Sequence, residues 1–139
     1  MTQGTKIENA PTLDHDVMMA KRFGSQVGPR MKLERRIVWN LLRHLHRGGC
    51  VPYTVAGGDD GNEPVKDALE AMNLVFNLDE ACIGFVVEGN ALDEDNEVGN
   101  VVLVFGEGIE CVSDWRWNDD IVGRTFNRIM EKFNAEDYA

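Results

Sequence analysis

Six aliphatic residues, Leu33, Ile37, Val38, Leu41, Leu42 and Leu45, recur at the spacing of one helical face, and no other stretch of the 139-residue chain is so strongly patterned. At about 100° per residue they form a single apolar stripe. The spacing predicts a helix over 31–47, and that stripe requires the rest of the chain to supply an apolar surface against it. Lys32, Arg36, Arg43 and Arg47 fall almost opposite the stripe, with Trp39 at the boundary. Gly48-Gly49 stops the helix, and Arg47 complements the negative end of its dipole.

The residues after Gly49 are predicted to supply the covering surface. Val51–Ala56 reads as a short strand that Pro52 pushes towards a sheet edge. The run Gly57–Pro64 reads as a turn that starts a helix, because proline suits the first helical position. Val65, Ala68, Leu69, Met72, Val75 and Phe76 extend that helix over 64–77. Three strands are then predicted, at Cys82–Glu88, Asn100–Phe105 and Ile109–Trp115. An acidic loop joins the first two and the tight Gly106-Glu107-Gly108 joins the last two. Apolar residues on both faces of the middle strand suggest one covered on both sides. In the last strand, Ile109, Cys111 and Trp115 alternate with Glu110, Asp114 and Arg116, as on a strand with one solvated face. Asn118 is the expected cap of a closing helix with Asp119 and Asp120 in its first turn. The stripe of that helix runs Ile121, Val122, Thr125, Phe126, Ile129, Met130, Phe133.

The order is therefore α-β-α-β-β-β-α, an α+β fold. Its expected core is a four-stranded, mostly antiparallel mixed sheet with helices packed mainly on one face. Two strands placed parallel around the second helix would need a right-handed crossover. Residues 1–29 read as an N-terminal arm in which 16–23 makes two helical turns, and 30–139 as one α+β domain. A polar arm is ordered only when something holds it.

Composition bounds the function. An apolar content of 43% suits a globular domain rather than a disordered chain. No run of about 18 apolar residues spans a membrane, and the polar start is unlike a signal peptide. A cytoplasmic protein without a membrane partner is the expectation. Cys50, Cys82 and Cys111 are odd in number and widely spaced, which suggests reduced structural thiols. The net charge of −10 is unevenly spread: residues 1–47 hold nine Lys/Arg against four Asp/Glu, and 48–139 hold five against twenty. Such asymmetry bears on partners rather than on fold.

Chemistry-bearing patterns are few. A calcium loop beginning at Asp93 would need glycine sixth and glutamate twelfth, where Val98 and Val104 stand. His44 and His46 diverge by about 200° on a helix and cannot share a metal with Cys50. Ser113 and Cys111 have no local histidine base, and no glycine turn leads into a Lys-Ser/Thr helix start. No catalytic residue, metal or cofactor is nominated. The candidate site is the basic face, Lys32, Arg36, Trp39, Arg43 and Arg47. It reads as a contact for duplex phosphates, as a protein-binding surface, or as a face solvated or paired with the protein's own acids.

One segment adds a resemblance. Val101–Trp115 contains an apolar strand, the turn Phe105-Gly106-Glu107-Gly108 and the strand Val112-Ser113-Asp114, followed by a closing helix. It resembles small uncharacterised phage- and plasmid-borne proteins, whose turn carries Leu-Gly-Asn-Gly. Val75–Ala81 also fits, as a helix end leading into the first strand of the meander; the resemblance covers about 65–115 and implies a mobile-element origin but no activity. The leading expectation is a non-enzymatic accessory or inhibitor protein that binds a host protein, such as one that itself binds nucleic acid. A nucleic-acid-binding accessory protein using helix 30–47 is the alternative, and an enzyme of unfamiliar type the second. A homodimer joining 30–47 of one copy to 93–97 of another is also expected to be possible.

Overall fold

The apolar stripe at 33–45 does build the central helix. A computed structural model describes residues 8–23, 29–57 and 61–132. The expected arm at 1–7 and 24–28, the turn at 58–60 and Phe133 lie outside the described residues. Helix α1 spans Asp14–Phe23 and α2 spans Pro29–Arg47. Strands β1 (Cys50–Ala56) and β2 (Asn62–Pro64) follow, then α3 (Ala68–Val75). The chain continues through β3 (Glu80–Val87), β4 (Glu97–Val104) and β5 (Val112–Trp117) to α4 (Asp120–Lys132). The fold is α+β.

Among the described residues the sheet has five strands in the order β2-β1-β3-β4-β5, and every neighbouring pair is antiparallel. The expected four-stranded mixed sheet is corrected at two prolines and at one glycine turn. Pro64 does not open a helix; it pairs with Thr54 at the end of β2, an edge strand where a missing N–H costs nothing. The helix starts at Ala68 instead, because the Asp67 carboxylate accepts the Glu70 N–H at 2.8 Å. Pro52 does not make β1 an edge. β2 pairs only with Thr54–Ala56, so Pro52 sits beyond its reach, beside a bulge between Pro52 and Thr54. The turn after β4 is wider than a tight hairpin: Gly108–Glu110 forms a 3-10 turn and β5 begins at Val112.

That wide turn has an internal cause. Glu34 on α2 is 2% exposed, and its Oε2 accepts the N–H groups of Gly106 at 2.8 Å and Gly108 at 3.0 Å. Both glycines have left-handed φ, 100° and 63°, which turns their amides onto one carboxylate. At the last helix Asp119, not Asn118, is the cap: its Oδ1 accepts Ile121 N–H at 2.9 Å and Val122 N–H at 3.0 Å.

The core lies between α2, α3 and α4 and one face of the sheet, and contains Ile37, Leu41, Leu45, Ile83, Phe85, Val101, Leu103 and Phe126. Trp117 stacks on both Phe85 and Phe126, at 5.6 and 5.3 Å between ring centroids, tying β5 to α4. The segment before α1 and the first turn of α1 are fastened at several points. Leu13 is buried in the core, and Asp14 N–H bonds to Asn73 Oδ1 at 2.9 Å. Buried Asn40 accepts Glu8 N–H at 2.7 Å and returns a bond to Glu8 O at 2.9 Å. Asp16 pairs with buried Arg35 at 2.8 Å.

Candidate functional site

The basic face of α2 is built as the spacing predicts and then partly occupied. Lys32 and Arg47 are exposed, while Arg36, Trp39 and Arg43 are half-buried. Glu8 enters between two of the cations: its Oε2 lies 3.1 Å from Arg47 Nη2 and 3.7 Å from Arg43 Nε. Arg43 also lies over the Trp39 ring, 5.7 Å from its centroid. Lys32 and Arg36 border a hollow of about 280 Å³ against Asn9–Thr12. The five residues thus share a face but do not form an open row of cations. Two of its four charges sit beside one carboxylate. Arg35, next to Arg36 in the chain, is 3% exposed, paired to Asp16 and 5.2 Å over the Phe76 ring. It is part of the core.

The other face of the sheet carries a feature that no sequence motif announces. Thr54, Ala56, Cys82, Asn100 and Val102 stand there half-buried, where their neighbours Val55, Ile83, Val101 and Leu103 on the helix side are fully covered. A cleft of about 410 Å³ crosses this face, with Thr54, Cys82, Gly84 and Asn100 as floor and Leu92, Glu94 and Glu97 at one side. The bulge in β1 rolls Tyr53 onto the same face, where its hydroxyl donates to Glu97 Oε1 at 2.8 Å. Gly84 makes room for this contact. A Cβ there would lie 2.6 Å from Glu97 Oε1 and 2.8 Å from both Thr54 Cγ2 and Tyr53 Cε1.

The cleft is electronegative. Burial raises the Tyr53 phenol above its ordinary range, and the Glu97 hydrogen bond and the charges of Glu97, Glu94 and Asp93 raise it further. Burial, then the Glu97 charge, raises the Cys82 thiol. Among the described residues lining it, none is Lys, Arg or His. A protonated phenol and a protonated thiol are poor nucleophiles. The signal that could have revealed this face is the small-residue alternation Ala56, Cys82, Gly84, which in a strand floor leaves a hollow.

The remaining chemistry is spent on structure. Asp93 caps the 3-10 turn Glu94–Asn96, accepting Asn96 N–H at 3.2 Å and Asn96 Nδ2 at 3.0 Å. His46 Nε2 lies 2.6 Å from Glu88 Oε2, tying the end of α2 to the end of β3. The three thiols are free. Burial pushes Cys50 and Cys111 up to about 12, with Asp119 and Glu34 respectively adding to it. Among the described residues no group of three His, Cys, Asp or Glu is placed to hold a metal ion, and no helix is long and apolar enough to cross a membrane. No family model, curated protein or solved structure matches the chain.

Proposed function

We propose that the chain is a non-enzymatic binding protein that covers a basic surface of a partner with the half-exposed face of its sheet. The observation that supports this reading is the cleft over Thr54, Cys82, Gly84 and Asn100, with Glu94 and Glu97 at its side and no cation among the described residues of its lining. Its neutral phenol and thiol offer recognition rather than nucleophilic attack. A nucleic-acid-binding host protein is the concrete partner, since such proteins carry clustered Lys and Arg. The resemblance at 101–115 to phage- and plasmid-borne proteins supports a mobile-element setting, in which the chain masks that host surface.

The reading is tested by titrating the protein with a lysine- and arginine-rich peptide and with duplex DNA at rising salt. Peptide binding that weakens with salt and drops about tenfold on Glu94→Lys with Glu97→Gln is the expected result. Peptide binding indifferent to both substitutions overturns it. Salt-sensitive DNA binding lost on Arg36→Glu with Arg43→Glu replaces it with the phosphate-contact reading of Lys32, Arg36, Trp39, Arg43 and Arg47.

A further inference from the structure

Among the described residues the sheet ends in an open strand whose charges match their own image. β5 is an edge of the sheet, and Ser113, Asp114, Trp115 and Arg116 are all exposed. The Asn118 N–H bonds to Val98 O, and the two-residue alternation of the ladder turns the amides of Arg116 and Asp114 towards β4 as well. Trp115 therefore points its backbone groups away from the sheet. Its N–H is donated to the Asp114 carboxylate at 2.8 Å. On the side-chain level, Trp115 lies opposite Val101 on the helix side and stacks on Phe126 at 5.0 Å, yet remains 42% exposed. Asp114 and Arg116, one residue to either side of it, point to the opposite face.

We infer that β5 pairs antiparallel with β5 of a second copy of this chain, centred on Trp115. A two-fold axis across a sheet edge requires antiparallel strands. Only registers that place outward-facing residues opposite one another keep the ladder bonds. Among those, charge selects one. Centring on Trp115 sets Asp114 opposite Arg116 of the second copy, twice. Shifting the centre by one residue sets Asp114 against Asp114, or Arg116 against Arg116. Opposite charges directly across two strands stabilise and like charges destabilise. Charged residues on an edge ordinarily prevent association, but here their signs alternate so that they fit across the axis. On pairing, Trp115 N–H passes from the Asp114 carboxylate to the carbonyl of Trp115 in the second copy. Asp114 is then released to the arginine opposite, and the two indoles meet on the helix side. The resulting sheet has ten strands.

A six-residue strand pair lies below the roughly 1,200 Å² of stable complexes, so the association is concentration-dependent. Sedimentation from about 1 μM to about 1 mM should show monomer passing to dimer. D114R and R116D should each remain monomeric, because each sets like charges across the axis. The double exchange D114R/R116D restores opposite pairs and should restore the dimer. Circular dichroism checks that each variant is folded. As a second measurement, W115C should form a disulfide between copies under mild oxidation, since residues in a hydrogen-bonded antiparallel pair have Cα atoms about 5.5 Å apart. A protein monomeric at about 1 mM overturns the proposal. So does a dimer that survives both single substitutions, or one in which W115C does not cross-link. A dimer dissolved by salt but not by D114R would instead join the α2 face to the acidic run 93–97.

Discussion

Glu34 shows how a single side chain can decide a local structure that no local pattern encodes. It lies 72 residues before Gly106, and its carboxylate turns a sequence that reads as a tight hairpin into a wider turn. Glu34→Ala leaves two inward-facing amides without an acceptor and opens a void, and is expected to lower stability by about 2–4 kcal/mol. Glu34→Gln keeps one acceptor oxygen and should cost less. Chemical denaturation of both variants measures the difference. Gly84 makes the same point on the other face. Gly84→Ala has no room beside Glu97, Thr54 and Tyr53. The expected result is a loss of about 1–3 kcal/mol together with breakage of the Tyr53–Glu97 bond, seen as a shift of the tyrosine absorbance titration towards its ordinary range. The partners of neither residue can be read from the sequence, because folding alone brings them together.

Among the elements, the helices and the strands β1, β3, β4 and β5 were legible from their periodicity, while β2, the strand order and the exact strand ends, which pairing decides, were not. The stripe of α2 and the stripe of α4 predict their helices closely, because burial of one face every 3.6 residues is written in the chain itself. Prolines misled where their meaning depends on a neighbour. Pro64 ends a strand rather than starting a helix, and Pro52 is tolerated because β2 stops short of it. The helix expected from 64 begins at Ala68, where Asp67 supplies the cap. Asp67→Ala should destabilise the protein by about 1 kcal/mol and Asp119→Ala by a similar amount, each measured as a shift in Tm. The candidate basic face was legible as a helix face, but Glu8 was not legible as its internal counter-charge. That contact depends on Asn40 holding the chain start in place.

For the molecule as a whole, the buried titratable groups set an alkaline limit. Cys50 and Cys111 have folded values near 12 against an ordinary value of 9.0, and Tyr53 is also raised. A group whose folded pKa is raised contributes stability that is intact below its unfolded value and lost as pH rises through the folded one. Thermal stability should therefore fall between about pH 9 and pH 12. Cys111→Ala should make that fall shallower while lowering Tm at neutral pH. Half-buried Cys82 should react with a thiol reagent before the other two, since they lie 1% exposed or less.

The sheet is wired almost entirely between neighbours along the chain, with β3, β4 and β5 forming one uninterrupted meander. Yet part of the core that α2 shares, Ile83, Phe85, Val101 and Leu103, is encoded well after α2 has ended at Arg47, whereas β1 and α3, which also pack on α2, follow it directly. On a ribosome adding residues from the amino end, Leu41, Leu42 and Leu45 emerge seconds before β3 and β4 can complete that core. The most strongly patterned part of this protein thus meets its first partners, β1 and α3, well before the meander that completes its core has been made.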